Sequence, residues 1–178
     1  MKVEYREATA RDVKAIARLH ADSWRRNYRG SYSDAYLDGD VEADRLAVWM
    51  GRLVSRPRPN QCTIVAERDG VLVGFAHTIL DADSQWGALL DNLHVAHELK
   101  GQGIGSQLMA EPARAVIECA PTSGLYLFVL EHNRPAQAFY EARGGIYAGL
   151  ETSEAPGGGT VVGLRVVWRD PSTLLARP

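Results

Sequence analysis

The residues with the clearest chemical potential form a glycine-rich segment directly after a predicted strand. The segment reads Lys100-Gly101-Gln102-Gly103-Ile104-Gly105-Ser106, and apolar residues at helical spacing follow it. The first turn of a helix leaves backbone N–H groups unpaired and carries partial positive charge. Because glycines let a ligand approach those donors closely, the segment predicts a phosphate or pyrophosphate site. A glycine turn that only connects strand and helix is the alternative.

Two familiar nucleotide-binding motifs are absent from this segment. A P-loop requires Gly-Lys-Ser/Thr after four spacer residues, and no such run occurs. The dinucleotide fingerprint requires a third glycine three residues after its second, where this sequence has Ser106 or Leu108. The segment therefore predicts an anion site of another class.

A second motif lies about thirty residues further along the chain, where a short helix is predicted. Seven residues at about 100° each fall about 20° short of two helical turns, so Asn133 and Tyr140 share one face. Asn133 suits the N-cap, and Pro135 is tolerated in the first turn. The alternative is a capped helix whose aromatic residues only pack in the core. The motif reads Asn133-Arg134-Pro135-Ala136-Gln137-Ala138-Phe139-Tyr140.

Together the two segments resemble the GCN5-related N-acetyltransferase (GNAT) family. Residues 100–105 match its Gln/Arg-x-x-Gly-x-Gly/Ala motif, with Lys100 keeping the positive charge but losing the planar fork of arginine. Residues 133–140 match its Asn-x-x-Ala-x-x-Phe-Tyr segment. The resemblance covers residues 3–168, and it is specific in these two motifs.

The resemblance implies transfer of an acetyl group from acetyl-CoA to a primary amine of a small molecule or a peptide. It implies that Tyr140 is the general acid for the CoA sulfur and that Asn133 holds the cofactor chain. The backbone of Leu93 and Val95 would bind the pantetheine arm like an added strand, and the Val95 N–H would contact the thioester oxygen. The further implied cofactor residues are His94, Lys100, Gly101, Gln102, Gly103, Ile104, Gly105 and Ser106.

A non-catalytic acyl-CoA-binding sensor or interaction module of the same fold is the alternative function. A nucleotide-binding or purely structural domain is a more distant one.

An amine acceptor must lose its proton before it attacks, so a general base is expected. Asp91 is the candidate, because family members often carry Glu or His on this strand just before the cofactor-binding residues. The alternation Asp91, Leu93, Val95 predicts that its carboxylate shares a face with residues near the thioester. His94, His77 and a water chain are the other candidates for the base, and a solvated strand carboxylate is the alternative for Asp91.

The family's first two helices and late strands usually line the acceptor site. In this sequence they carry aromatic and acidic side chains, which would suit a cationic amine. The alternative is a set of caps, solvated loop residues and core aromatics. The predicted acceptor residues are Trp24, Tyr28 and Tyr32, beside Tyr36 and the acids Asp34, Asp38, Asp40, Glu42 and Asp44.

Hydrophobic periodicity predicts the elements that position these residues. Strands are predicted over residues 3–7, 62–67, 71–80, 87–95, 125–130, 146–150 and 160–168, with a hairpin turn at Asp69-Gly70. Helices are predicted from a Thr9 cap to Tyr28, then over 41–54, 103–119 with a kink at Pro112, and 133–143. The order β-α-α-β-β-β-α-β-α-β-β predicts an α/β fold, a GNAT-like mixed and mostly antiparallel sheet of about seven strands with about four helices.

Composition narrows the class of protein. The 178 residues fit a single domain over 1–178, with a core over 3–168 and a short tail over 169–178. A formal net charge of −2 gives no basic excess, so nucleic acid is not an expected partner. No apolar run approaches the ~18 residues of a membrane span, and no leader is recognised before the first strand.

Cysteine and histidine usage predicts a cytoplasmic protein without a metal site. Cys62 and Cys119 lack paired spacing and are expected to be reduced thiols. His94 and His97 are three residues apart, which on a strand turns them to opposite faces. Acetyl-CoA and an amine are the expected partners, and the sequence leaves a homodimer open.

Overall fold

A seven-stranded sheet lies at the centre of the protein. The structure is a computed structural model that describes residues 2–120 and 123–175 of the chain. The described strands are β1 (Val3–Glu7), β2 (Gln61–Arg68), β3 (Val71–Asp83), β4 (Gly87–Val95), β5 (Leu125–Leu130), β6 (Ile146–Glu154) and β7 (Thr160–Trp168). Their order across the sheet is β1-β2-β3-β4-β5-β7-β6, and only β4 and β5 run parallel. The predicted mixed, mostly antiparallel sheet is confirmed.

The described part of the chain has five α-helices, one more than predicted. They are α1 (Val13–Asn27), α2 (Asp34–Asp38), α3 (Val41–Met50), α4 (Ile104–Cys119) and α5 (Arg134–Glu141). The additional helix is α2, which begins after Ser33, whose hydroxyl accepts a hydrogen bond from the Tyr36 N–H at 3.3 Å. A helix this short has no room for a periodic apolar stripe, so periodicity could not reveal it.

Local signals set most of the element boundaries. Asp69 and Gly70 both have positive φ, 53° and 75°, as a tight hairpin between β2 and β3 requires. Thr9 caps a 3₁₀ turn rather than α1 itself, in a capping box with Asp12, and α1 follows this turn directly. The helix predicted over 41–54 ends in α-form at Met50 and continues as a π-helical turn, Gly51–Ser55. The helix α4 runs through the buried Pro112 without interruption.

Two segments are more structured than the sequence suggested. The predicted tail contains a 3₁₀ helix, Pro171–Leu175, whose Leu174 packs on the main core cluster, while residues 176–178 lie outside the described part. The glycine-rich connection between β6 and β7 is a tight turn, in which the Ala155 N–H donates to the Gly159 carbonyl at 2.9 Å. A Cβ at Gly157 would lie 2.4 Å from the Tyr36 Cβ, so this turn packs closely on α2.

The sheet separates two hydrophobic cores, one on each of its faces. One face, called here the α4 face, packs Leu108, Leu127 and Tyr140 into an apolar cluster with α4 and α5. The other, called here the α1 face, packs α1 and α3 on the sheet, with Ile16 and Trp49 among its fully buried side chains. The described helices include none that is long and apolar enough to cross a bilayer.

Candidate active site

The sheet opens between its two parallel strands. β4 and β5 pair only at Ala88–Leu125 and Leu89–Tyr126, and beyond these positions the strands separate. Residues 93–95 of β4 and 128–130 of β5 then line opposite walls of a cleft of about 550 Å³. The main-chain groups that face the gap have no strand partner in the described residues, so an extended ligand can pair with them.

A bulge bends β4 where this opening begins. His77 of β3 faces Asn92, but the next residue, Thr78, faces Leu90, so Asp91 is the extra residue. Consequently Asp91 and Asn92 point to the same side, and both accept hydrogen bonds of 2.7 Å from the guanidinium of Arg52. The predicted alternation is therefore wrong at Asp91, because the bulge turns its side chain to the α1 face.

Leu93 and Val95, in contrast, pack on the core cluster of the α4 face. Asp91 thus lies across the sheet from the side chains with which it was predicted to share a face.

The glycine segment ends at an uncapped helix N-terminus. Gly103 is the N-cap of α4 with φ 81°, and no side chain caps the helix. The first intrahelical bond in this turn is donated by Gln107 to the Gly103 carbonyl at 3.1 Å, which leaves the preceding amides of α4 without intrahelical acceptors. A Cβ at Gly101 or Gly103 would meet nothing within 4 Å, so open space borders these donors.

The three glycines of this segment serve different ends. Gly101 and Gly103 have φ of 79° and 81°, a region that L side chains rarely adopt. Gly105 instead sits in the helix, and a Cβ there would come within 3.3 Å of the Phe139 ring. The segment therefore combines two left-handed turns with a close helix–helix contact.

Tyr140 enters the cleft from α5. Asn133 caps this helix by accepting a hydrogen bond from the Ala136 N–H at 3.3 Å, and Gly144, with φ 78°, follows its end. The Tyr140 side chain is 9% exposed, and its hydroxyl has no hydrogen-bond partner in the described residues. Burial raises the pKa of Tyr140 above its ordinary value, so the hydroxyl keeps its proton well into the alkaline range.

The cleft is electrostatically one-sided. Lys100 and Arg143 are the charged residues among those that line it in the described structure, and no carboxylate joins them. With the uncapped amides of α4, this charge distribution favours an anionic ligand.

Histidine near the cleft is neutral and weakly basic. His94 lines the cleft, and its Nδ1 lies 2.8 Å from the Ser23 Oγ of α1. Burial, with a smaller contribution from the positive charge of Lys100, lowers the pKa of His94 to about 3. Burial also lowers the pKa of His77 to about 4, with Arg52 contributing in the same direction. His77 does not line the cleft, and its Nδ1 lies 2.8 Å from the Thr63 hydroxyl.

Four of the five acidic residues predicted to attract a cationic acceptor have basic partners. Arg29 contacts both Asp34 and Asp38, and Asp44 contacts Arg45 and the hydroxyl of Tyr36. Glu42 lies 3.7 Å from Arg25. These acids, called here the acidic rim, are therefore largely neutralised by arginines of the same region.

The predicted aromatic residues pack on one another. Tyr28 lines the cleft, whereas Trp24 stacks on Tyr28 at 5.4 Å and contacts Tyr32 edge-on at 5.0 Å from behind. Burial raises the pKa of Tyr32 to about 12, which keeps its hydroxyl neutral. Arg45 lies over the Trp24 ring at 4.2 Å, so this cluster already holds a cation of its own.

The structure thus brings most of the predicted cofactor residues to one cleft. Gln102 and Ile104 are not among its lining residues: the Gln102 side chain accepts from Arg68, and Ile104 is 2% exposed in the core. Sequence reasoning missed Ser23, Asn27, the β5 wall and Arg143. The cleft-lining members of the predicted set are Leu93, His94, Val95, Lys100, Gly101, Gly103, Gly105, Ser106, Asn133 and Tyr140.

The seven-stranded sheet opens into a cleft, and unpaired amides lie at one end of this cleft. This arrangement suits an enzyme that binds an extended anionic ligand. Comparison with known proteins identifies the class further. Residues 14–145 match the family model described as the acetyltransferase (GNAT) family. The chain is 28% identical over 142 residues to the uncharacterized N-acetyltransferase YuaI of Bacillus subtilis, covering 79% of this chain and 78% of that protein.

Solved structures agree with this assignment at the level of the fold. The PaiA N-acetyltransferase from Thermoplasma acidophilum, in complex with coenzyme A, matches with a TM-score of 0.67 at 20% identity, covering 93% of this chain and 98% of that chain. An N-acetyltransferase from Staphylococcus aureus Mu50 matches with a TM-score of 0.71 at 18% identity, covering 96% and 99%. The chain therefore belongs to the acetyltransferase (GNAT) family, and it is an N-acyltransferase of that type.

Proposed function

We propose that the protein transfers an acetyl group from acetyl-CoA to a primary amine of a small molecule or peptide, by direct attack in a ternary complex. The observation that carries this proposal is the cleft between β4 and β5, which has uncapped amides at one end and Tyr140 in its wall. The coenzyme A in the related PaiA structure supports the choice of donor.

On the cofactor side, the protein supplies binding groups that need little rearrangement. The amides that begin α4 would hold the diphosphate, and the unpaired edge of β4 at Leu93 and Val95 would pair with the pantetheine arm. The Val95 N–H is suited to the thioester oxygen, where negative charge develops as the amine attacks. Lys100 adds a positive charge beside the diphosphate.

Tyr140 serves as the general acid in this proposal. As the C–S bond breaks, its hydroxyl donates a proton to the leaving sulfur, and attack by the amine nitrogen forms the new C–N bond. A raised pKa keeps this acid protonated at the alkaline pH where amines become neutral. A thiolate leaving in the same dehydrated cleft is a stronger base than it is in water, which favours the transfer.

The acceptor enters from the α1 face, past Tyr28. A lysine-like amine with a pKa of ~10.4 is neutral in only about one molecule in a few thousand at pH 7. Asp91 is the proposed base on this face, and it acts through water because it does not line the cleft. His94, which lines the cleft, and His77, which does not, are the other candidates for the base.

The decisive experiment measures free thiol released from acetyl-CoA in the presence of a panel of amines. Tyr140→Phe is expected to lower kcat by about 10²–10⁴-fold, the usual contribution of general acid catalysis, while the Kd of acetyl-CoA stays nearly unchanged. Initial-velocity patterns that intersect indicate the ternary complex, whereas a ping-pong pattern contradicts direct attack.

Two outcomes would contradict the proposed mechanism. Equal turnover in Tyr140→Phe removes Tyr140 from the acid role, and a wild-type protein that does not bind acetyl-CoA in calorimetry removes the donor.

A further inference from the structure

Arg143 is a cation in the cleft wall with only neutral partners. It follows the end of α5, and its guanidinium donates from Nε to the Ser106 hydroxyl at 3.0 Å, and also from Nη2. Its Nη1 donates to the Phe139 carbonyl at 3.0 Å. The described residues provide no carboxylate in contact with it. Partial burial lowers the pKa of Arg143 below its ordinary value.

Several arginines elsewhere in the protein are held differently. Arg6, Arg29, Arg52 and Arg165 each contact at least one carboxylate. A partly buried cation without an anion destabilises a site until a ligand supplies the charge. Of the five N–H groups of a guanidinium, three are used in the hydrogen bonds of Arg143, so two remain for such a ligand.

The location of Arg143 identifies the kind of anion. Ser106 is the third residue of α4, within the helical turn whose amides are uncapped. The guanidinium stacks on the Phe139 ring at 3.7 Å, and that ring packs on Gly105 of the same turn. The Arg143 backbone is fixed as well, because the Trp168 Nε1 donates to its carbonyl at 2.8 Å. The planar fork is therefore held beside the predicted diphosphate position.

We propose that Arg143 is a specificity-determining residue that donates its two free N–H groups to a phosphate of coenzyme A. This inference rests on the proposed function for the donor and adds a side-chain contact to the main-chain site. A planar guanidinium matches two phosphate oxygens at once, and stacking on Phe139 holds it in that orientation. The residue would thus select CoA thioesters over thioesters of the bare pantetheine arm.

The test compares binding of coenzyme A, dephospho-coenzyme A and pantetheine by calorimetry, with displacement titrations for the weakest ligand. Arg143→Met keeps the apolar stem on Phe139 but removes the charge, and it should weaken coenzyme A at least tenfold while leaving pantetheine unchanged. Arg143→Lys should recover part of the loss, because it restores the charge without the fork. The matched control is Arg134→Met, an exposed arginine on α5 that contacts the neutral Gln137 and should change nothing.

The dephospho-coenzyme A arm identifies which phosphate is bound. If the diphosphate is the partner, Arg143→Met weakens coenzyme A and dephospho-coenzyme A equally. If the 3′-phosphate is the partner, only coenzyme A is weakened.

An equal loss for all three ligands, pantetheine included, would overturn the proposal, because Arg143 would then only hold α5 against α4. Unchanged binding of coenzyme A in Arg143→Met also overturns it while leaving the proposed function intact. If the wild-type protein binds none of the three ligands, the proposed function itself fails.

Discussion

The two faces of the sheet handle charge in opposite ways. On the α4 face, the amides of the first turn of α4 and the guanidinium of Arg143 are left without anionic partners in the described residues. On the α1 face, Arg29 contacts Asp34 and Asp38, and Arg52 contacts Asp91. The α4 face therefore has donors available for an anionic ligand, whereas charged side chains on the α1 face pair with one another.

This difference bears on how the two substrates are recognised. A ligand of fixed chemistry can be bound by main-chain donors, which any sequence supplies wherever a helix begins. The acceptor side depends on side chains that already bind each other, so shape and aromatic contact from Tyr28 would decide the fit more than charge. The following predictions test this contrast, from the largest expected effect to the smallest.

Gly103→Val should abolish tight cofactor binding, with the Kd of coenzyme A raised at least about a hundredfold, or about 2.7 kcal/mol. A β-branched residue is strained at φ 81°, and its side chain would fill the open space beside the α4 amides. Calorimetry measures the effect.

Gly103→Ala separates the two causes, because it shares the backbone strain but adds little bulk. Gly51→Ala is the control, since Gly51 also borders open space but has a helical φ of −59°. Wild-type affinity in Gly103→Val would show that the α4 N-terminus is not where the diphosphate binds.

Acid should destabilise the α1 face through its buried imidazoles. His77 is 1% exposed, and burial holds its folded pKa at about 4, whereas the unfolded chain takes up a proton near pH 6.5. Its contribution to stability is therefore fully present above pH 6.5 and is lost as the pH falls toward 4, by about 1.4 kcal/mol per pH unit.

Urea unfolding at pH 7.5, 6.0 and 5.0 measures this slope in the wild type and in His77→Gln. The free energy of unfolding of His77→Gln should depend less steeply on pH than that of the wild type, because one buried imidazole is removed. The control His132→Gln, at an exposed position, should keep the wild-type slope. Identical slopes in His77→Gln and the wild type would contradict the assignment of His77 as a neutral buried group.

Local sequence information was sufficient for the main-chain part of the α4 face, but not for its side-chain contacts or for the α1 face. The glycine segment and the Asn133 cap act over a few residues, so spacing alone could predict them. Arg143 was missed although it lies three residues after Tyr140, because its partner Ser106 is 37 residues away in the chain. The bulge at Asp91 and the ion pair with Arg52, 39 residues apart, likewise depend on tertiary packing that no local pattern records.

Asp91→Asn should lower kcat/KM moderately, by about fivefold at pH 7, with a smaller effect at pH 9 where more of the amine is already neutral. The double variant Asp91→Asn/Asn92→Asp is a useful counterpart, because Asn92 contacts the same guanidinium at the same distance of 2.7 Å and the two changes together move the carboxylate by one residue. A pH–rate profile for each variant gives the comparison. A loss in Asp91→Asn that is equal at both pH values would assign Asp91 to structure through Arg52, not to proton transfer.

Salt should have the smallest effect, a small change in the KM of the amine. The size of this change tests whether the acidic residues of the α1 face are neutralised by their arginine partners. If Asp34, Asp38 and Asp44 are neutralised by Arg29 and Arg45, a cationic amine experiences little net attraction on entry. Raising NaCl from 50 to 300 mM at saturating acetyl-CoA should then change the KM of the amine by less than about twofold. Arg29→Gln is the sharpening variant, because it frees two carboxylates and should create a salt dependence that the wild type lacks. A steep salt dependence in the wild type would mean that the acidic rim attracts the acceptor despite its arginine partners, and the contrast between the two faces would not hold.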